Sequence, residues 1–228
     1  MVARKIPEPG RALGSPKLII LPSAHGLTDF AWKAIEARVR DGAVLLASGP
    51  FAADAHLHET DRAAQIGLAY DAVPLELRDQ TFAWEGKTLP LVYSGGKTTV
   101  LSRARLPGGK DWVELPLGRG KILFSALPLE LNDRLDSVAA VYAYAIQAAG
   151  VTPTYTTAVS DPGLLICPTL LPHATLYVLA SETNQTAVSF RDQRSGKSFT
   201  GTLEPGHASL LLVGEDGKLI TSYRWHGE

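Results

Sequence analysis

Ser48, His25 and Glu130 are of the residue types that a hydrolytic site needs. A serine can act as nucleophile, a histidine can take its proton, and an acid can orient the histidine. The three lie far apart in sequence, so only a fold that gathers strand ends would unite them. Each follows a short apolar run: Lys17–Leu21 precedes Ser23–Ala24–His25, Ala43–Ala47 precedes Ser48–Gly49–Pro50, and Lys121–Ala126 precedes Pro128–Leu129–Glu130. In open α/β sheets, ligands collect beyond the carboxyl ends of such strands. Ser48 lacks the G-x-S-x-G elbow that exposes a nucleophilic serine. Ser23 and Ser48 equally suit turn hydroxyls, and Glu130 a cap or an ion-pair partner. No catalytic residue is assigned, and His25, Ser48 and Glu130 stand as candidates.

A second cluster, Asp54, His56, His58, Glu59 and Asp61, has ligand types for zinc. In an extended strand His56 and His58 would share a face with Asp54. The spacing matches no established metal motif, and the segment reads better as a polar loop or helix start at the mouth of the sheet. Asp54, His56 and His58 are therefore candidates only, and neither metal nor cofactor is expected. Cys167 lies within the apolar run LLICP, which predicts a buried, inert thiol. As the single cysteine it excludes internal disulfides. Gly118–Arg119–Gly120–Lys121 precedes a strand instead of joining a strand to a helix, so it predicts a tight turn and not a phosphate loop. Asn184–Gln185–Thr186 is taken as a hairpin turn. Trp32, Trp84, Trp112 and Trp225 are scattered, with core or interface roles expected and sugar stacking as the alternative.

The elements that would position these groups begin with a strand–helix–strand unit over residues 17–50, long enough for a parallel crossover. Thr28 or Asp29 caps the helix. Phe30, Trp32, Ile35 and Val39 form its apolar side, and Gly42 ends it. Lys121–Ala126 reads as a third parallel strand. It is followed by a helix from Asn132 or Asp133 to Gly150, with Leu135, Val138, Tyr142, Ala145 and Ala149 on one face. Between Phe51 and Arg119 the β-prone pieces Thr81–Trp84, Leu89–Tyr93, Thr98–Arg103 and Trp112–Leu117 are separated by turns at Glu85–Gly86, Gly95–Gly96 and Gly108–Gly109. They suggest an antiparallel insertion over or beside the sheet. After the turn at Asp161–Pro162–Gly163, Leu164–Cys167, Thr175–Ala180, Ala187–Arg191, Ser209–Val213 and Leu219–Tyr223 predict a small all-β sandwich.

Composition bounds the rest. The chain has 228 residues, 45% hydrophobic and 20% charged, with a formal net charge of −1. That balance excludes the clustered basic excess of a nucleic-acid groove. No apolar run approaches the ~20 residues needed to span a bilayer. The segment MVARKIPEPGRALGSPK has basic residues but no apolar stretch behind them, so it does not read as a signal peptide. It looks like an extended lead-in or a cut inside a longer protein. Compartment stays open, with a soluble, cytoplasmic setting favoured.

The run LIILPSAHGLTDFAWKAIEARVRDGAVLLASGP is similar to a pattern of apolar strand, Pro–Ser, Leu–Ser/Thr–Asp, helix, Gly, apolar strand and Ser–Gly. That pattern occurs in the trimerisation domain of family 42 β-galactosidases and related glycoside hydrolases. GRGKILFSALPLELND with its following helix resembles the closing strand and helix of that domain. TLYVLASETN and DGKLITSY resemble strands of the small C-terminal β-domain. The resemblance implies a flavodoxin-like, class I glutamine amidotransferase-like α/β domain with an antiparallel insertion at 1–150, and a β-sandwich at 151–228. In that family the catalytic glutamates belong to a TIM barrel, which is missing here. Amidotransferase relatives use a Cys on a strand–helix elbow, where this chain has Ser48 or nothing. The resemblance thus implies a non-catalytic accessory or assembly region, cut from a larger enzyme. Its partners would be further copies of itself or an upstream barrel, with carbohydrate nearby. A stand-alone hydrolase using the strand-end residues and a carbohydrate-binding module are the alternatives.

Overall fold

The computed structural model describes residues 14–24, 26–94, 101–157, 163–182 and 186–227. The chain divides into two compact units, Met1–Val151 and Thr152–Glu228.

The first unit opens with β1 (Leu18–Leu21), a two-residue strand β2 (Gly26–Leu27) and a helix, Asp29–Arg40. Thr28 is the cap: its side chain accepts from the Ala31 N–H, which satisfies one of the free donors of the first turn. Trp32, Ile35 and Val39 are buried as their spacing predicts, but Phe30 is 42% exposed. It lies in the first turn, ahead of the packed stretch. β3 (Val44–Ser48) follows and is buried at every position. Next come β4 (Ala53–Asp54), a helical turn at Arg62–Gln65, and β5 (Asp71–Pro74). The strands β6 (Asp79–Trp84) and β7 (Lys87–Val92) form a hairpin, while β8 (Ser102–Arg105) pairs antiparallel with β5. Glu85 and Gly86 both take positive φ in the hairpin turn, as a two-residue turn between twisted strands requires. The expected turn at Gly95–Gly96 and the start of the expected strand Thr98–Arg103 lie outside the described residues.

β9 (Trp112–Leu117) and β10 (Gly120–Ser125) complete the unit's main sheet, ordered β1-β3-β10-β9. β1 and β10 pair parallel with β3, and β9 pairs antiparallel with β10. Trp112–Leu117, expected in the insertion, is thus the edge strand of the sheet itself. The two residues between Leu117 and Gly120 make the turn too short for anything but a hairpin. Both glycines there are needed. Gly118 has φ 62°, and a Cβ on Gly120 would lie 2.1 Å from the Ala43 carbonyl oxygen and 2.3 Å from that of Val39. The end of the first helix rests directly on this turn.

The alternation of strand side chains divides the core in two. Leu45, Ala47, Ile122 and Phe124 pack with Trp32, Ile35 and Val39 of the first helix. Val44, Leu46 and Leu123 pack on the other side with Val141 and Ala145. These belong to the second helix, Leu135–Ala148, which buries Ser137, Val141 and Ala145. Leu135, expected on the packed face, is 59% exposed. The Ser137 hydroxyl is buried instead and donates to the Pro90 carbonyl at 2.7 Å.

The second unit is all β. Tyr155–Thr157 (β11) precedes β12 (Leu164–Leu170), β13 (Ala174–Ser181) and β14 (Thr186–Asp192). β15 (Ser198–Leu203), β16 (Ala208–Gly214), β17 (Leu219–Tyr223) and β18 (His226–Gly227) follow. They form two four-stranded sheets, β11-β14-β15-β18 and β12-β13-β16-β17. Ile166, Tyr177, Leu179, Leu211 and Val213 from one sheet share a core with Val188, Phe190, Phe199 and Leu203 from the other. Residues 161–162 of the expected turn and 184–185 of the expected hairpin lie outside the described residues. The chain is mostly β, with few helices and a mixed parallel and antiparallel sheet. No described helix is long and apolar enough to cross a membrane.

Candidate functional site

The carboxyl ends of β1, β3 and β10 bring Ser23, Ser48 and Glu130 together. Ser48 is the last residue of β3, and Glu130 sits in a single 3-10 turn, Leu129–Leu131, just past β10. The Ser48 hydroxyl donates to Glu130 Oε2. The Ser23 hydroxyl donates to the same oxygen at 2.8 Å. The Ser23 N–H donates to Ser48 Oγ at 3.1 Å. Both serine protons are directed at the carboxylate, so the 3.0 Å approach of the two hydroxyl oxygens follows from their shared acceptor. The other carboxylate oxygen accepts from the Tyr142 hydroxyl at 3.1 Å. Tyr142 comes from the second helix, and the arrangement ties three strand ends to that helix. Burial, with the Glu130 charge and hydrogen bond behind it, pushes the Tyr142 hydroxyl pKa up. Burial does the same to Tyr93, the Arg103 charge opposing and Glu130 adding. Both phenols are therefore neutral donors at ordinary pH.

Ser23 has φ 44°. A non-glycine residue enters this left-handed region only where its surroundings hold it, and here two hydrogen bonds do so, from its N–H to Ser48 and from its hydroxyl to Glu130. Ser48 is 1% and Ser23 8% exposed. The carboxylate could take the Ser48 proton, but among the described residues the hydroxyl is buried against its hydrogen-bond partners. The structure thus brings two of the candidates, Ser48 and Glu130, into contact. The third, His25, lies outside the described residues. Sequence reasoning passed over Tyr142 as a functional partner because it read as part of the apolar helix face. Its hydroxyl was the available signal.

Asp54 ends β4, and His56 and His58 follow it in a tight loop instead of continuing the strand. Asp54 Oδ1 accepts the backbone N–H groups of His56 (2.7 Å) and His58 (3.0 Å), and Oδ2 lies 3.4 Å from His58 Nδ1. The His58 backbone bond, first among these, holds the Asp54 carboxyl below its ordinary value against a smaller desolvation effect. The carboxylate thus serves the loop backbone. Among the described residues no group of three or more His, Cys, Asp or Glu side chains is arranged to hold a metal. Glu59 bridges back to Ala53, and Asp61 accepts from Gln65 Nε2.

Buried Arg62 braces the loop, although nothing in the sequence signalled it. Its guanidinium donates to the carbonyls of Leu27 and Ala53, each at 2.8 Å, and pairs with Asp29 at 2.5 Å. A cleft of ≈ 690 Å3 opens beside this region, lined by Thr60, Asp61, Tyr70, Arg105 and Pro107 among others. It contains none of the candidate residues except Asp61. Of the tryptophans, Trp32, Trp84 and Trp225 are buried and Trp112 is half-buried. Trp84, Trp112 and Tyr144 meet edge to face, and Trp84 and Trp112 line a cleft of ≈ 470 Å3. Cys167, expected inside, is exposed. The strand alternates, and with Ile166 in the core Cys167 must point out.

No protein-family model matches the chain, and no curated protein matches it. Solved structures do. Gan42B, a GH42 β-galactosidase from G. stearothermophilus, matches over 91% of this chain and 32% of its own, at 13% identity and a TM-score of 0.58. The β-galactosidase of Bacillus circulans sp. alkalophilus matches over 86% and 33%, at 14% identity and 0.56. That of the haloarchaeon Halorubrum lacusprofundi matches over 89% and 32%, at 12% identity and 0.56. The likeness is one of fold, and this chain spans about a third of the length of these proteins.

Proposed function

We propose that this chain is a non-catalytic accessory region of a glycoside hydrolase related to the β-galactosidases, serving assembly or bordering the active site of a separate catalytic barrel. In this reading the first unit is a flavodoxin-like, amidotransferase-like trimerisation domain with its antiparallel insertion, and the second a small β-sandwich. The supporting observation is the fold likeness, which runs across nine-tenths of this chain and a third of Gan42B. The strand-end chemistry agrees with it. Ser23, Ser48, Glu130 and Tyr142 satisfy one another in a closed network, and Ser48 is buried. A nucleophile needs a substrate atom about 3 Å away; this hydroxyl has a protein partner there instead.

The stand-alone hydrolase keeps one observation in its favour, the direct hydrogen bond between Ser48 and Glu130. A panel of chromogenic glycosides and esters separates the two. The purified chain should turn over none of them, and a barrel glycosidase should be encoded in frame with it or beside it. Turnover that disappears in Ser48→Ala and Glu130→Gln would overturn the accessory reading.

A further inference from the structure

The sheet β12-β13-β16-β17 is apolar on both faces. Its inner face supplies Ile166, Tyr177, Leu179, Leu211 and Val213 to the core. The pairing register then fixes the outer face: Leu165 lies opposite Ala180 and Cys167 opposite Val178. Leu176 lies opposite Leu212 and Val178 opposite Leu210, and Leu210 in turn opposite Tyr223. Leu165 is 44% and Tyr223 57% exposed, Cys167 is exposed, and the residues of the two central strands are half-buried. The remaining outward positions in this register are Thr169, Ala174, Ala208, Gly214 and Thr221. No charged side chain stands among them; Arg224 flanks the face, its guanidinium 5.6 Å from the Tyr223 ring, and Asp216 borders it at Gly214, its carboxylate 2.9 Å from where a Cβ would lie. An antiparallel sheet with one face packed ordinarily turns a polar face to water. This one does not.

We infer that the outer face of this sheet is an interface with the same face of a second copy of the chain. Four strands ~4.8 Å apart and about seven residues long at ~3.3 Å each span roughly 19 by 23 Å, about 440 Å2 in projection. Accessible area exceeds projected area, so a pair of such faces buries more than about 900 Å2, at the threshold of a specific but weak interface. A face with no charge offers nothing for a differently charged partner to complement. Being apolar across all four strands, it matches a second copy of itself, and two-fold pairing brings like residues to like surroundings. Sheets packed face to face at ~10 Å satisfy such surfaces, as the inner face of the same sheet already illustrates.

This inference rests on the assembly role in the proposed function and adds to it a two-fold contact through the second unit, distinct from the trimerisation proposed for the first. Sedimentation velocity of the full chain over about 1–300 μM, the range where so small an interface dissociates, should show a concentration-dependent twofold step in mass. Leu210→Glu and Val178→Glu should abolish the step. Maleimide labelling of Cys167 in the unaltered chain should slow over the same range, which gives the reading even if a variant misfolds. Folded variants that retain the step would overturn the interface while leaving assembly through another surface intact. Constant mass with concentration-independent labelling would overturn it too, as when only a different chain covers the face. The glycoside assay bears on the accessory reading separately, so the two can fail independently.

Discussion

Glu130 accepts hydrogen bonds from Ser23, Ser48 and Tyr142, so removing it strands three hydroxyls at once. Leaving a buried donor unsatisfied costs about 1–3 kcal/mol. Glu130→Ala should therefore destabilise the first unit by about 2–4 kcal/mol in urea unfolding, and a loss below about 0.5 kcal/mol would mean that water replaces the carboxylate freely. Ser23 allows a finer test. Ser23→Ala keeps the left-handed φ and loses the hydroxyl, whereas Ser23→Gly loses the hydroxyl but relaxes the backbone. The glycine variant should be the more stable of the two by about 0.5–1 kcal/mol. In the second unit, Asp192 is 1% exposed and accepts from Tyr177 (2.6 Å), Ser195 N (2.7 Å) and Ser195 Oγ. Burial pushes its pKa up, but the hydrogen bonds from Ser195, Tyr177 and the Arg194 backbone outweigh that and hold it low. A folded-state pKa below the unfolded one of ~3.9 means that the contribution is complete well above pH 4 and lost as pH falls through the folded value. Asp192→Asn should thus destabilise at pH 7, with the difference from the unaltered chain shrinking below about pH 4. An equal difference at pH 7 and pH 3 would show that the charge is irrelevant.

At the scale of elements, the parallel strands were legible because each is a short run of aliphatic residues closed by Pro or Gly, with a capped helix of crossover length between the first two. The meeting of Ser23, Ser48 and Glu130 was legible only as shared strand ends, since hydrogen-bond direction and burial depend on the packing of a helix about a hundred residues later. β15, SFTGTL, went unseen because its outward positions are Ser198, Thr200 and Thr202 and its inward Gly201 carries no side chain. That glycine lies beneath Trp225, whose ring a Cβ would meet at 2.6 Å. Cys167 was misplaced for the opposite reason: an apolar residue on each face of β12 makes an exposed strand look like an inner one. The turn under the first helix carries the sharpest element-scale prediction. With two backbone carbonyl oxygens closer than 2.5 Å to the required Cβ position, Gly120→Ala cannot be relieved by a side-chain rotation. It should lower stability by 3 kcal/mol or about that, at the top of the ordinary range for overpacking. A variant that melts within a degree or two of the unaltered chain would mean that the helix end and the β9–β10 turn do not touch.

For the whole molecule, the near-zero net charge and the uncharged outer face of the second unit bear on the same question of what drives association. Two mechanisms could hold copies of such a chain together, and salt separates them. Pairing through exposed ion pairs weakens as the Debye length shrinks, from about 14 Å at 0.05 M to roughly 4 Å at 0.5 M. Pairing through Leu165, Val178, Leu210, Leu212 and Tyr223 gains from apolar surface removed from water, which screening leaves untouched. Sulfate strengthens such pairing and cooling weakens it. The dissociation constant measured by sedimentation should therefore change less than about threefold between 0.05 and 0.5 M sodium chloride. It should fall in sodium sulfate of matched ionic strength and rise between 25 and 5 °C. A tenfold weakening in sodium chloride alone would move the contact to the charged edges of the molecule, to residues such as Arg194 and Glu215 that already pair across the second unit's loops, and away from the sheet face.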